Sequence, residues 1–184
     1  MLKKIFYSNC KIRHFLAVLL FLFIQLQNYA QVCTGCTTVI TSNTSVNISI
    51  GPTDFVCIAP GVSATGNITL NGGKLCNEGI VNNLTLIEGT FDNHGSFIKP
   101  TGNLNISNAK NLKINCYENS VFDVSNAINI DGANNTDSIV FNVFSGSSLF
   151  SIGKDLSISK GWLKIANSIS SGGSGIIVVG LPSI

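Results

Sequence analysis

A tetrad that recurs six times, a low density of charge and the lack of any helix-length apolar run after residue 31 predict an all-β fold. The specific prediction is a right-handed single-stranded parallel β-helix of about six three-strand coils. The tetrads are Asn47-Ile48-Ser49-Ile50, Asn67-Ile68-Thr69-Leu70, Asn83-Leu84-Thr85-Leu86, Asn103-Leu104-Asn105-Ile106, Ala127-Ile128-Asn129-Ile130 and Asp155-Leu156-Ser157-Ile158. Each runs polar or small, apolar, small polar, apolar. Alternation along a strand turns the two apolar residues to one side and the residue between them to the other. Self-similarity at a fixed period marks repeat architectures, in which each unit buries its apolar side only by stacking on its neighbours.

The intervals between tetrads, 20, 16, 20, 24 and 28 residues, each contain two further short apolar runs. Lys74-Leu75-Cys76 and Gly79-Ile80-Val81 follow the second tetrad; Thr90-Phe91-Asp92 and Ser96-Phe97-Ile98 follow the third. Gly, Asn or Pro stands at most of the boundaries, as tight corners require. The lengthening intervals predict longer corners, as at Asn134-Asn135-Thr136-Asp137, since corners accept insertions that strands do not. A β-sandwich also uses short strands at regular intervals, but it has no need for one tetrad in every third strand.

The first thirty residues read differently. Lys3, Lys4, Lys11 and Arg13 precede the apolar stretch Phe15 to Ile24, which is too short to span a bilayer comfortably and has the layout of a secretory signal peptide. Cleavage is expected after Ala30, with a retained signal anchor as the alternative. The expected organisation is a signal peptide over 1–30, a cap with a Cys-x-x-Cys over 31–46, coils over 47–169 and a Gly/Ser-rich corner with a terminal apolar strand over 170–184. An exported product, extracellular or at the cell surface and without membrane insertion after cleavage, follows.

Residues 31–184 carry seven Lys and no Arg against nine acids, a net charge of about −2. That balance argues against a nucleic-acid partner, which needs a clustered basic surface to release counterions. It also weakens recognition of uronic-acid carboxylates, because the bidentate Arg fork is missing.

Five cysteines lie in this part: Cys33, Cys36, Cys57, Cys76 and Cys116. Cys57 and Cys76 fall at nearly the same offset from their tetrads, so they are expected to be neighbours in adjacent coils and to form a disulfide. Cys33 and Cys36 are expected to form a local disulfide or cap. Zinc would need a second closely spaced pair, and a redox motif would sit at a strand-to-helix junction. Cys116 is left over and is expected to be buried.

For catalysis the best cluster is Glu88, Asp92 and His94, in one coil near a corner. A glycosidase needs two carboxylates across a cleft, and a lyase would want acidic calcium ligands with a basic residue. Few acids lie near enough to complete either, so the three read first as solvated corner residues. No cofactor or metal motif is present. The outward residues of the tetrads, Ser49, Thr69, Thr85, Asn105, Asn129 and Ser157, form a neutral hydrogen-bonding column that could meet glycans, or simply keep strand edges soluble.

The Tyr29-Ala30-Gln31 junction, the Cys33-Thr34-Gly35-Cys36 start and the coils together resemble the N-terminal stretch of secreted, Asn- and Gly-rich β-helical surface proteins of gliding and related Bacteroidota. That resemblance implies an adhesin-like, non-catalytic role, with glycans or other surface proteins as partners. It also implies that the chain is the N-terminal fragment of a longer protein. A carbohydrate-active β-helix enzyme, or a glycan-binding module without catalysis, is the alternative.

Overall fold

The computed structural model describes residues 32–144, 149–153, 156–168 and 176–179. The expected signal peptide, and most of the expected terminal segment over 170–184, lie outside them. Within them the chain is all-β and builds a mostly parallel sheet. In chain order the strands are β1 (Thr38–Ile40), β2 (Ile48–Ile50), β3 (Phe55–Ile58), β4 (Ser63–Asn77), β5 (Ile80–Asn93), β6 (Ser96–Lys99) and β7 (Leu104–Cys116). They continue as β8 (Val121–Val124), β9 (Ile128–Gly132), β10 (Ser138–Phe144), β11 (Leu149–Ile152), β12 (Leu156–Lys160), β13 (Trp162–Ser168) and β14 (Ile176–Val179). Several are longer than the sequence predicts, because β4, β5 and β7 keep pairing through corners by way of register shifts.

Pairing is parallel between segments of successive passes of the chain, which sorts residues into columns. The tetrads pair as expected in two blocks: Ile48 with Ile68 and Ile68 with Leu84, then Leu104 with Ile128 and Ile128 with Leu156. A second column passes through Val56, Leu75, Phe91, Ile114, Phe141 and Ile165. A third passes through Ala64, Val81, Phe97, Phe122 and Phe150.

The first column departs from expectation at one place. Among the described residues no backbone ladder joins Leu84–Leu86 to Leu104–Ile106; the pairing of β5 with β7 begins only at Glu88 with Lys110. The cause is chain length on either side. Phe97 sits on Val81 and Ile114 on Phe91, yet the segments from Phe97 to Leu104 and from Ile106 to Ile114 are each longer than their counterparts one layer below. Four extra residues around Pro100-Thr101-Gly102, and three between Ile106 and Leu112, set the tetrad strand out of line with the layer beneath. Asn108 and Asn111 take up the turn in the left-handed region, at φ 55° and 45°, which asparagine tolerates better than most residues.

The core fills from all three columns. Phe91, Phe97, Phe122 and Phe141 are fully buried and interlock, with centroids 6.3 Å apart for Phe91 and Phe97, 4.8 Å for Phe97 and Phe122, and 5.9 Å for Phe122 and Phe141. Each such ring contributes about 1.5–3 kcal/mol through burial. The corner between the second and third columns is sealed by polar groups instead. Asn77 and Asn93 are fully buried; Asn77 Nδ2 donates to Asn93 Oδ1 at 2.8 Å, and Asn93 Nδ2 to the Val121 carbonyl at 2.7 Å. Both belong to an Asn-x-Gly corner repeated sixteen residues apart, Asn77-Glu78-Gly79 and Asn93-His94-Gly95. The glycine of each is required by close stacking: a Cβ on Gly95 would fall against the carbonyl oxygen of Gly79, and one on Gly79 against that of Val62.

Gly95→Ala is therefore expected to lower unfolding stability by about 2–4 kcal/mol, because backbone must move to admit the methyl group. Gly102→Ala, at φ 74° in open space, should cost only about 1 kcal/mol. Urea unfolding of both variants checks this, and equal losses would contradict the stacking argument.

Candidate functional site

Among the described residues, the outer side of the second column gathers a buried carboxylate, two disulfides, an aromatic stack and three lysines. At its start lies the Cys-x-x-Cys segment. Register places Cys57 directly beside Cys76, as neighbours in successive layers, but the expected bond between them does not form, and neither does the local Cys33–Cys36 bond. Cys33 is joined to Cys76 and Cys36 to Cys57, each with a Cα separation of 5.9 Å. Geometry accounts for the correction. Paired residues on parallel strands project their Cβ atoms in the same direction about 4.8 Å apart, whereas a disulfide wants them roughly 3.8 Å apart and converging. A segment crossing the strands from outside meets both thiols face on.

The strap has other anchors. Glu78 accepts hydrogen bonds from the backbone N–H groups of Val32 at 3.0 Å and Cys33 at 2.8 Å. Beyond Cys36, Thr37 exchanges hydrogen bonds with the Phe55 backbone, its N–H donating to the carbonyl at 2.8 Å and its hydroxyl accepting from the N–H at 2.9 Å. The disulfides close sequence separations of 43 and 21 residues. On the chain-entropy account each contributes about 3–4 kcal/mol, though nested loops do not add in full. Two such bonds indicate an oxidising, non-cytoplasmic environment. Cys116 takes part in neither; it is buried, and burial pushes its thiol up to about 12.

Next to the strap sits a buried carboxylate. Asp92, 5% exposed, receives Lys74 Nζ at 2.8 Å on Oδ2 and Asn115 Nδ2 at 2.6 Å on Oδ1. The Tyr117 hydroxyl also hydrogen-bonds to it. Asn142 extends the chain of amides, donating to Asn115 Oδ1 at 2.7 Å. Alongside runs an aromatic stack: His94 on Tyr117 with centroids 4.0 Å apart, and Tyr117 on Phe144 at 4.7 Å. Lys74 completes the arrangement by lying 4.6 Å from the Phe55 ring centroid, a cation–π contact.

These surroundings shift two groups. Burial lowers the His94 pKa below its ordinary 6.5, Lys74 adds to the effect, and the charges of Asp92 and Glu78 oppose it. Tyr117 is raised, first by burial, then by the Asp92 charge and by its hydrogen bond to that carboxylate.

Of the three residues singled out for catalysis, the structure brings Asp92 and His94 together and leaves Glu88 on the far side of the Gly89 corner. There Glu88 is in register with Asn71 and Lys110. Asp92 is held by three donors, and Glu78, the other acid acting on His94, is committed to the strap. The arrangement suits a fixed hydrogen-bond acceptor better than a proton-transfer pair. Among the described residues no group of three or more His, Cys, Asp or Glu side chains is placed to hold a metal ion.

The outward tetrad residues Ser49, Thr69, Thr85, Asn105, Asn129 and Ser157 sit partly or fully exposed; Thr69, Thr85, Asn105 and Asn129 lie between buried neighbours, whereas Ser157 stands beside Ile158, itself 41% exposed. Five of the six, all but Ser49, link in two pieces that match the two ladders. Asn67 Nδ2 reaches the hydroxyls of Thr69 and Thr85, both at 3.2 Å; Asn129 Nδ2 donates to Asn105 Oδ1 and the Ser157 hydroxyl to Asn129 Oδ1, both at 2.9 Å.

Sequence reasoning missed Tyr117, Phe144, Asn115 and Asn142. Each occupies the place in its layer that His94 or Asp92 occupies in its own, but the repeat distances, 23 and then 27 residues, hide the match. Aligning on Phe91, Ile114 and Phe141 rather than on the tetrads would have exposed it.

Replacing Asp92 by Asn removes the charge that raises Tyr117 while leaving an amide oxygen to accept from its hydroxyl, so the phenol should titrate at lower pH than in the parent; phenolate absorbance against pH checks this. His94 gives a second expectation. Its folded-state pKa is lowered, so the unfolded chain binds the proton more readily, and stability is lost as pH falls below 6.5. The melting temperature should decline from pH 7 to about 5, and His94→Phe, which keeps the stack, should flatten that decline.

Comparison with protein-family models, with curated proteins and with solved structures finds no match to this chain.

Proposed function

We propose that the chain is a right-handed parallel β-helix, exported from the cell, that serves as a non-catalytic structural or adhesin-like element at the cell surface. The observation that carries this reading is the parallel register of the second column, unbroken through β1, β3, β4, β5, β7, β10 and β13 and tied from outside by two disulfides. Parallel strands connected in succession favour right-handed turns of the chain. Disulfides of this kind persist in oxidising compartments, in keeping with the signal-peptide layout of residues 1–30. The regular polar exterior, with its acids largely engaged by structural partners, supports a scaffold more than a catalyst.

A carbohydrate-active enzyme is the second reading, and the Asp92–His94–Tyr117 cluster is what favours it. The two are separable. Protease shaving of intact cells producing the full chain should release peptides of residues 32–168, and thiol labelling should find Cys33, Cys36, Cys57 and Cys76 oxidised. Recovery only from the cytosol with those thiols reduced would overturn the surface reading. Polysaccharide turnover abolished by Asp92→Asn would replace it with the enzymatic one.

A further inference from the structure

The register of the second column does to the lysines what it does to the cysteines. On the outer face, Lys74 pairs with Thr90, Thr90 with Lys113, Lys113 with Val140 and Val140 with Lys164. A lysine thus recurs at every second layer along a single column, although the three stand 39 and 51 residues apart in sequence. With strands about 4.8 Å apart, successive lysines are spaced by roughly 9–10 Å. Lys113 and Lys164 are exposed, and Lys74 is shared with Asp92.

A second feature lies on the same face. Trp162 is 70% exposed and precedes Lys164 by two residues on β13, so strand alternation puts both side chains on one side. Its indole offers a flat apolar face to solvent, of the kind on which the C–H face of a sugar ring can pack. The polar margin is already ordered, since Asn142 is held by Asn115 and Asn115 by Asp92, which lowers the entropy lost when a ligand binds.

We infer that this face binds an extended acidic polysaccharide with one carboxylate or sulfate per disaccharide, lying along the stack. The acidic groups meet Lys113 and Lys164, a pyranose ring packs its C–H face on the Trp162 indole, and hydroxyls meet the Asn142 amide. The lysine spacing matches the length of a disaccharide in an extended chain. Charges along duplex DNA recur far more closely, about every 3.4 Å of helix axis on each strand, and most of them are left unmatched here. Whole-chain composition weighed against acidic glycans; register reverses that locally by collecting the lysines. The inference gives the adhesive reading above its ligand.

Trp162 is the single tryptophan of the chain, so tryptophan emission reports on this face directly. The oxidised full chain is titrated with hyaluronan oligosaccharides, carboxyl-reduced hyaluronan and oligothymidine at about 0.15 M ionic strength, where unspecific surface attraction is screened. A saturable emission change with hyaluronan is expected, with Kd raised at least tenfold in Lys113→Gln/Lys164→Gln and restored near the parent value in Lys113→Arg/Lys164→Arg. Lys99→Gln/Lys160→Gln, on other faces, should bind as the parent does. The inference is overturned by the absence of a saturable change, by equal binding of the carboxyl-reduced polymer or oligothymidine, or by equal weakening in the control variant. Such a failure with the chain still shaved from the cell surface would remove the ligand and leave the scaffold reading standing.

Discussion

Parallel, in-register pairing between segments of chain 16 to 28 residues apart is the constraint on which the rest of this molecule depends. It commits every residue to a column, and a column repeats one environment at each layer. Apolar columns become a continuous core, in which Phe91 must fit Leu75 below it and Ile114 above it. Polar residues committed to an inward column have to satisfy one another, as Asn77 and Asn93 do. A buried amide with no partner would cost about 1–3 kcal/mol, so the second asparagine answers the first.

The same constraint explains what was legible in the sequence and what was not. Tetrads over Ile48–Ile50, Ile68–Leu70 and Leu84–Leu86 reveal their pairing because the corners between the intervening strand segments are short. The offset at Leu104–Ile106 was hidden, since surplus residues in two corners shift a strand sideways while leaving its pattern intact. That Cys57 and Cys76 are neighbours followed from spacing alone. Their partners did not, because direct bonding depends on the direction of the Cβ atoms, which spacing does not contain, and because nothing in Cys33-Thr34-Gly35-Cys36 announces that it crosses two layers from outside. Asp92 and His94 were grouped by proximity in sequence; Tyr117, Asn115 and Lys113 entered their company only through register.

The two sides of the second column divide the labour of the fold. The inner side supplies cohesion through aromatic and aliphatic packing. Apart from the buried Asn77–Asn93 pair, the outer side carries the polar groups of this column: the strap and its Glu78 anchor, the Asp92 acceptor, the aromatic stack and the lysine column. Overall charge is a poor guide to such a face, because acids and bases spread through the sequence are sorted again when the chain stacks. On this account adhesion would be a property of the repeat itself, with specificity set by which residues occupy alternate layers.

The most direct test of the stacked register is the connectivity of the disulfides, since each bridge has to join the strap to a different layer. Proteolysis of the unreduced protein followed by mass identification of bridged peptides should yield Cys33 with Cys76 and Cys36 with Cys57. A bond between Cys33 and Cys36, or between Cys57 and Cys76, would contradict the geometry on which the account of the outer face rests.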